Sequence, residues 1–194
     1  MRRLICEAAP CGIKARPRSP FEALVRAVAH QQLNGTAAET ITRRFLALFP
    51  GRRFPLPAEV EALAEAQIRS AGFSRAKVAA IRDIAAKTRT GVVPPRRMLA
   101  RLADEEIITR LTECRGVGRW TVEMFLMFTL ARPDVLPVDD FGIRNGFRLA
   151  YGWEELPKPK ELADFGERWR PYRTTASWYL WRAVDLAKAG ISKP

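Results

Sequence analysis

Two glycines one residue apart, Gly116 and Gly118, sit between two helical patterns and restrict what this chain can fold into more than any other feature. Upstream, Asp104 is a suitable helix N-cap, Glu105 and Glu106 suit the positive first turn, and Ile107, Ile108 and Leu111 make one apolar helical face. Downstream, Trp120 to Phe128 contains no breaker and is apolar nearly all round, as in a helix buried on most sides. The glycines permit a tight reversal with positive φ and, lacking side chains, let a ligand come close to the backbone. A helix, a glycine turn and a second helix are therefore expected over 105–130, with leading amides of the second helix suited to an anion.

The anion follows from charge. The 194 residues carry a formal +12, with arginine in excess of lysine, which favours a polyanionic partner bound through planar guanidinium groups. Nucleic acid fits this better than an anionic membrane surface, and no apolar run reaches membrane-spanning or signal-peptide length. An intracellular, nucleoid-associated protein is expected. The three cysteines, Cys6, Cys11 and Cys114, are too few for a disulfide framework and lack zinc-type pairing.

Other segments also read as helices. Residues 1–20 are rich in Arg and Pro without periodicity and predict a flexible basic arm. Phe21, Leu24, Val25 and Val28 form one helical stripe, and Thr36 to Glu39 reads as a capping box opening the next helix. A third helix runs through Val60, Leu63 and Ile68, and Ser74 caps a fourth that stops at Gly91. Further helices pass through Leu99 and Leu102, through Ile143 and Phe147, through Leu162 and Phe165, and from Thr174 to Lys188. No strand alternation stands out, so the chain is expected to be all-α.

Four motifs occur in a telling order: His30-Gln31-Gln32-Leu33, Gly116-Val117-Gly118-Arg119-Trp120-Thr121, Pro137-Val138-Asp139-Asp140-Phe141-Gly142-Ile143-Arg144 and Trp169-Arg170-Pro171-Tyr172-Arg173. In that order the chain resembles the HhH-GPD superfamily of DNA glycosylases, on the 3-methyladenine DNA glycosylase II branch, from about Phe21 to about Lys188. The resemblance implies a helix-hairpin-helix fold of two helical lobes with the active-site cleft between them. It divides residues 21–194 into a lobe of about 36–130, holding the hairpin 105–130, and a second lobe from about 21–35 and 131–194.

Base removal from a duplex requires the nucleotide to leave the stack, its base to be held, and a sugar of oxocarbenium character to be stabilised. The resemblance implies Asp140 as the carboxylate beside that sugar, although Asp139 and Asp140 also read as ordinary N-caps. It implies a base pocket of Trp120, Met124, Trp169 and Tyr172, with Met124 standing where the family has an aromatic. Gln32, with Leu33 as the alternative, is implied as the wedge entering the vacated stack. Gly116, Gly118, Arg119 and Arg144 are implied on DNA phosphates, and Arg148 and Arg173 are further candidates. A structural monovalent or divalent cation on the backbone carbonyls of Thr112, Cys114 and Val117 is a further implication, while catalysis requires no cofactor.

Trp120 occupies the position of the Schiff-base lysine of strand-nicking relatives, which implies a monofunctional enzyme with water as nucleophile. No cysteine follows Cys114, so the iron–sulfur cluster of some relatives is not expected. The expected partner is double-stranded DNA carrying a damaged base, the expected lesions are alkylated purines of the 3-methyladenine and 7-methylguanine type, and the expected state is a monomer. Two alternatives remain: a hairpin module that grips DNA without cutting any bond, and a glycosylase for a mismatched, deaminated or oxidised base. Trp178 and Trp181 read as core aromatics.

Overall fold

A computed structural model describes residues 1–33 and 35–190. Twelve α-helices occur among them: α1 Arg2–Glu7, α2 Pro20–His30, α3 Gly35–Ala47, α4 Pro57–Ala62, α5 Glu65–Ser70, α6 Arg75–Arg89, α7 Arg96–Leu99, α8 Asp104–Leu111, α9 Arg119–Phe125, α10 Phe141–Tyr151, α11 Pro159–Gly166 and α12 Arg173–Lys188. A π turn spans Leu126–Leu130 and a 3₁₀ turn spans Glu167–Trp169. No strand occurs among the described residues, as the sequence predicts.

The chain divides into two compact units. The first is Pro17–Phe125; the second joins Met1–Arg16 to the residues from Leu126 onward. Residues 21–35, expected in the second lobe, lie in the first unit instead, because the stripe Phe21, Leu24, Val25 and Val28 of α2 is buried there among α3, α6 and α9. Burying one such side chain is worth roughly 1.5–3 kcal/mol, so the stripe fixes which unit the helix joins. Phe45 meets Phe49 and Phe73 edge-on, with ring centroids 5.3 and 5.6 Å apart, and α6 supplies Val78, Ile81 and Ile84 to the same core.

Residues 1–16 are not a free arm. α1 buries Leu4 beside Tyr179 and Ala183 of α12, and the Arg16 amide donates to the Phe128 carbonyl at 2.8 Å. The aperiodic Arg/Pro run conceals this because one leucine is enough to dock so short a helix. The core of this second unit is Leu136, Ile143, Phe147, Leu162 and Leu180. Gly146 brings α10 against α12: a Cβ there would run into the Leu180 carbonyl.

Helix ends follow their caps. The Ser19 hydroxyl accepts the Glu22 amide at 3.1 Å with Pro20 in the first turn, and Ser74 accepts Lys77 at 3.3 Å. The cap of α8 is Ala103, not Asp104; the Glu106 carboxylate reaches back to the Ala103 amide at 2.8 Å, and Asp104 enters the first turn. α3 already includes Gly35, so Thr36 lies inside it. The single helix expected through Val60 and Ile68 is two, α4 and α5, broken at an extended Leu63 whose carbonyl accepts Arg82 at 2.7 Å.

Candidate active site and nucleic-acid hairpin

Between α8 and α9 the backbone turns on two short bonds, Cys114 N–H to Leu111 O at 3.1 Å and Val117 N–H to Cys114 O at 3.0 Å. Gly116 has φ +73°, and a Cβ on it would stand 3.1 Å from the Ala80 methyl, so both conformation and packing call for glycine. Gly118 differs. Nothing lies within 4 Å of where its Cβ would be, so no neighbour within the described chain requires glycine there. Beneath the turn, the Asp83 carboxylate accepts the Arg115 amide at 2.7 Å and Lys87 Nζ at 3.0 Å, and Lys87 also reaches the Glu113 carbonyl. Burial pushes the Cys114 thiol up to about 11, the nearby Lys87 charge opposing this only in part, so it is a packed thiol rather than a nucleophile.

Arg119, implied on a phosphate, is ion-paired within its own unit. Its guanidinium donates to Glu105 Oε2 at 3.0 Å and its Nε to Glu123 Oε1 at 3.1 Å, clipping α8 to α9; the Arg119 bond holds the Glu105 carboxyl below its usual range. Trp120 is 44% exposed on the first turn of α9, and Met124 is half-buried one turn on.

The 30–33 loop belongs to the same unit as the hairpin. Gln32 has φ +56° and is exposed, as is Leu33. Gln31 points the other way: its Nε2 donates to the Gly116 carbonyl at 2.9 Å and the Thr121 hydroxyl at 3.4 Å. Lys77 Nζ donates to the carbonyls of Ala29 at 3.0 Å and Gln31 at 2.7 Å, and partial burial lowers its pKa. Desolvation also lowers the His30 pKa, against a weaker opposing pull from Glu39.

In the second unit Asp140 is both an N-cap and a fixed carboxylate. Its Oδ1 accepts the Ile143 amide at 2.8 Å and the Trp181 indole N–H at 3.0 Å. Gly142 makes room for this pair, since a Cβ there would lie 3.0 Å from both Asp140 Oδ1 and the Trp181 ring. Trp181 in turn stacks on Phe128 with centroids 6.1 Å apart. Sequence reasoning missed Trp181, taking it for a core aromatic, and nothing local marks a donor 41 residues away. Phe141, at the first helical position beside Asp140, is 67% exposed.

The remaining candidates divide. Tyr172 is 66% exposed at the start of α12, whereas Trp169 packs among Phe147, Tyr151 and Phe165, half-buried in an aromatic cluster. Arg144 donates to the Pro157 carbonyl at 2.8 Å, and Arg148 to the Asn145 side chain at 3.2 Å. Arg173 embraces the Asp134 carboxylate, with Nε 2.8 Å from Oδ1. All three were expected on phosphates; each also makes a hydrogen bond within its own unit, Arg144 and Arg148 through Nε alone. Among the described residues no group of His, Cys, Asp and Glu side chains is arranged to hold a metal ion.

Residues 25–171 match the HhH-GPD superfamily base excision DNA repair protein family, and the chain belongs to it. Among relatives, the DNA-3-methyladenine glycosylase 1 of Schizosaccharomyces pombe is 42% identical over 88% of this chain and 75% of its own length. The S. pombe 3-methyladenine DNA glycosylase Mag1, solved in complex with abasic DNA, superposes with a TM-score of 0.87 at 39% identity, covering 96% of this chain and 91% of that one. A DNA-3-methyladenine glycosidase from Bacillus halodurans has a TM-score of 0.82 at 32% identity, covering 96% and 86%.

Proposed function

We propose that this protein is a monofunctional DNA glycosylase that everts alkylated purines of the 3-methyladenine and 7-methylguanine type from double-stranded DNA and hydrolyses their N-glycosidic bond in base excision repair. The observation that carries the reading is Asp140: a carboxylate oriented by the Trp181 indole, in a chain 42% identical to a DNA-3-methyladenine glycosylase. As the base leaves, positive charge grows on the sugar, and the Asp140 carboxylate opposes it or takes a proton from the attacking water. Capping α10 and serving the reaction are compatible, because the cap bond orients the same carboxylate that the chemistry uses.

The Gly116–Gly118 backbone would hold a phosphate beside the lesion, with the open space at Gly118 admitting the strand. Among the described residues the Arg115 side chain makes no ion pair, so it replaces Arg119 as the hairpin's phosphate-binding arginine in this reading. Exposed Gln32 would fill the vacated stack, with Leu33 beside it. Trp120, or exposed Tyr172, would stack on the cationic base by cation–π attraction. Met124, softer than an aromatic, favours a broad lesion range. Neutral carbonyl oxygens at Thr112, Cys114 and Val117 suit a hard structural cation, though Lys87 already places a positive charge on the Glu113 carbonyl of that turn. The protein would act as a monomer on intracellular, nucleoid DNA.

Asp140→Asn tests the reading. Asparagine caps helices as well as aspartate does, so folding should hold while base release falls roughly 10²–10⁴-fold and duplex binding persists. Release should be measured on single-lesion oligonucleotides with alkali applied afterwards. Unchanged release would remove Asp140 from the mechanism, and strand cleavage without alkali would refute monofunctional chemistry.

A further inference from the structure

Gln31, in the loop bearing Gln32, and Gly116 lie 85 residues apart in sequence, yet one helix holds both segments. Along a single face of α6, Lys77 binds the Ala29 and Gln31 carbonyls, Ala80 lies under Gly116, Asp83 accepts the Arg115 amide and Lys87 bridges Asp83 to the Glu113 carbonyl. Spacings of three to four residues place these groups on successive turns of that face. Gln31 closes the bracket directly, with its Nε2 2.9 Å from the Gly116 carbonyl. All of these bonds except Lys87 to Asp83 engage a backbone atom of the loop or the turn, so the contacts fix the path of the chain itself.

We propose that Gln31 and Lys77 are positioning residues for base eversion, locking the Gln32 turn to the hairpin so that wedge and grip act as one rigid body. The inference rests on the glycosylase reading above. Eversion is favoured only if a side chain fills the gap while the adjoining phosphate is held, and a displacement of about 1 Å between such groups costs on the order of a hundredfold in rate. The left-handed backbone of Gln32, unusual for a residue with a side chain, needs support on both sides. Lys77 supplies it at the Gln31 carbonyl, and the His30 carbonyl supplies it at the Leu33 amide, 3.4 Å away.

A merely structural pair would affect melting temperature alone or slow every substrate alike. The test is single-turnover release of 7-methylguanine from two duplexes, one with the lesion paired to cytosine and one with it opposite an abasic site, where no pair must break. Gln31→Leu and Lys77→Met should slow release from the paired lesion about tenfold and from the unpaired lesion less than about threefold. Lys77→Arg, still able to donate to both carbonyls, should recover most of the loss. Equal slowing on both duplexes, or none on either, would overturn the proposal. Should Gln31→Leu melt below the assay temperature, Gln31→Glu keeps the volume and sets a carboxylate against the Gly116 carbonyl. Emission from 2-aminopurine at the lesion position reads eversion without bond cleavage: the increment seen with wild type should vanish in the variants, and an unchanged increment overturns the bracket. A wild type that everts 2-aminopurine but releases no methylated base would retire the glycosylase reading while the bracket is still judged by the emission.

Discussion

The hairpin at Gly116 and the turn at Asp140 are both chain reversals leading into a helix, but they are held in opposite ways. The hairpin is supported from outside: Gln31, Asp83 and Lys87 bind its backbone, and its own arginine, Arg119, faces back to Glu105 and Glu123. The Asp140 turn is supported from within by the Ile143 amide three residues on, plus one distant indole. The contrast follows from what each must present. On the proposed reading a strand grip offers backbone, so its side-chain neighbours serve as struts, whereas a catalytic carboxylate offers a side chain that its neighbours must orient.

Four substitutions sharpen or break this contrast. Gly146→Ala should have the largest effect, about 3 kcal/mol of lost stability, because its methyl meets the Leu180 carbonyl, which a side-chain rotation cannot move aside. Calorimetry or denaturant melts would measure it, and base release should fall too, since α10 and α12 carry Asp140 and Trp181. Trp181→Phe keeps the ring against Phe128 but removes the indole donor; base release should drop about tenfold with duplex affinity intact. No drop would show that the indole bond is not needed to orient the carboxylate. Gly116→Ala should cost about 1 kcal/mol through left-handed strain, with the Ala80 contact adding to it. Gly118→Ala should leave stability within about 0.5 kcal/mol while weakening duplex binding, and a stability loss there would mean that its glycine serves the fold instead.

Much of this architecture is legible in the sequence because helices announce themselves locally. Ser74 and Asp140 cap helices where their spacing says they should, and the hairpin glycines mark the reversal. Where a side chain three residues inside the helix does the capping, as Glu106 does for Ala103, the eye settles on the wrong cap. Partner choice is the harder problem. Arg144 and Arg173 look like phosphate ligands in a basic chain, and only three dimensions reveal the Pro157 carbonyl and Asp134 that engage them. Trp181 and Gln31 are invisible for the same reason, since their partners lie 41 and 85 residues away.

The inward-turned cations also bear on how the protein would meet a polyelectrolyte. Arg82, Arg110, Arg119 and Arg173 each turn two or more guanidinium N–H groups to carbonyls and carboxylates of their own chain, and Arg144 turns one. They are poorly placed to displace condensed counterions from a duplex, so association should weaken with added salt less steeply than a formal +12 suggests.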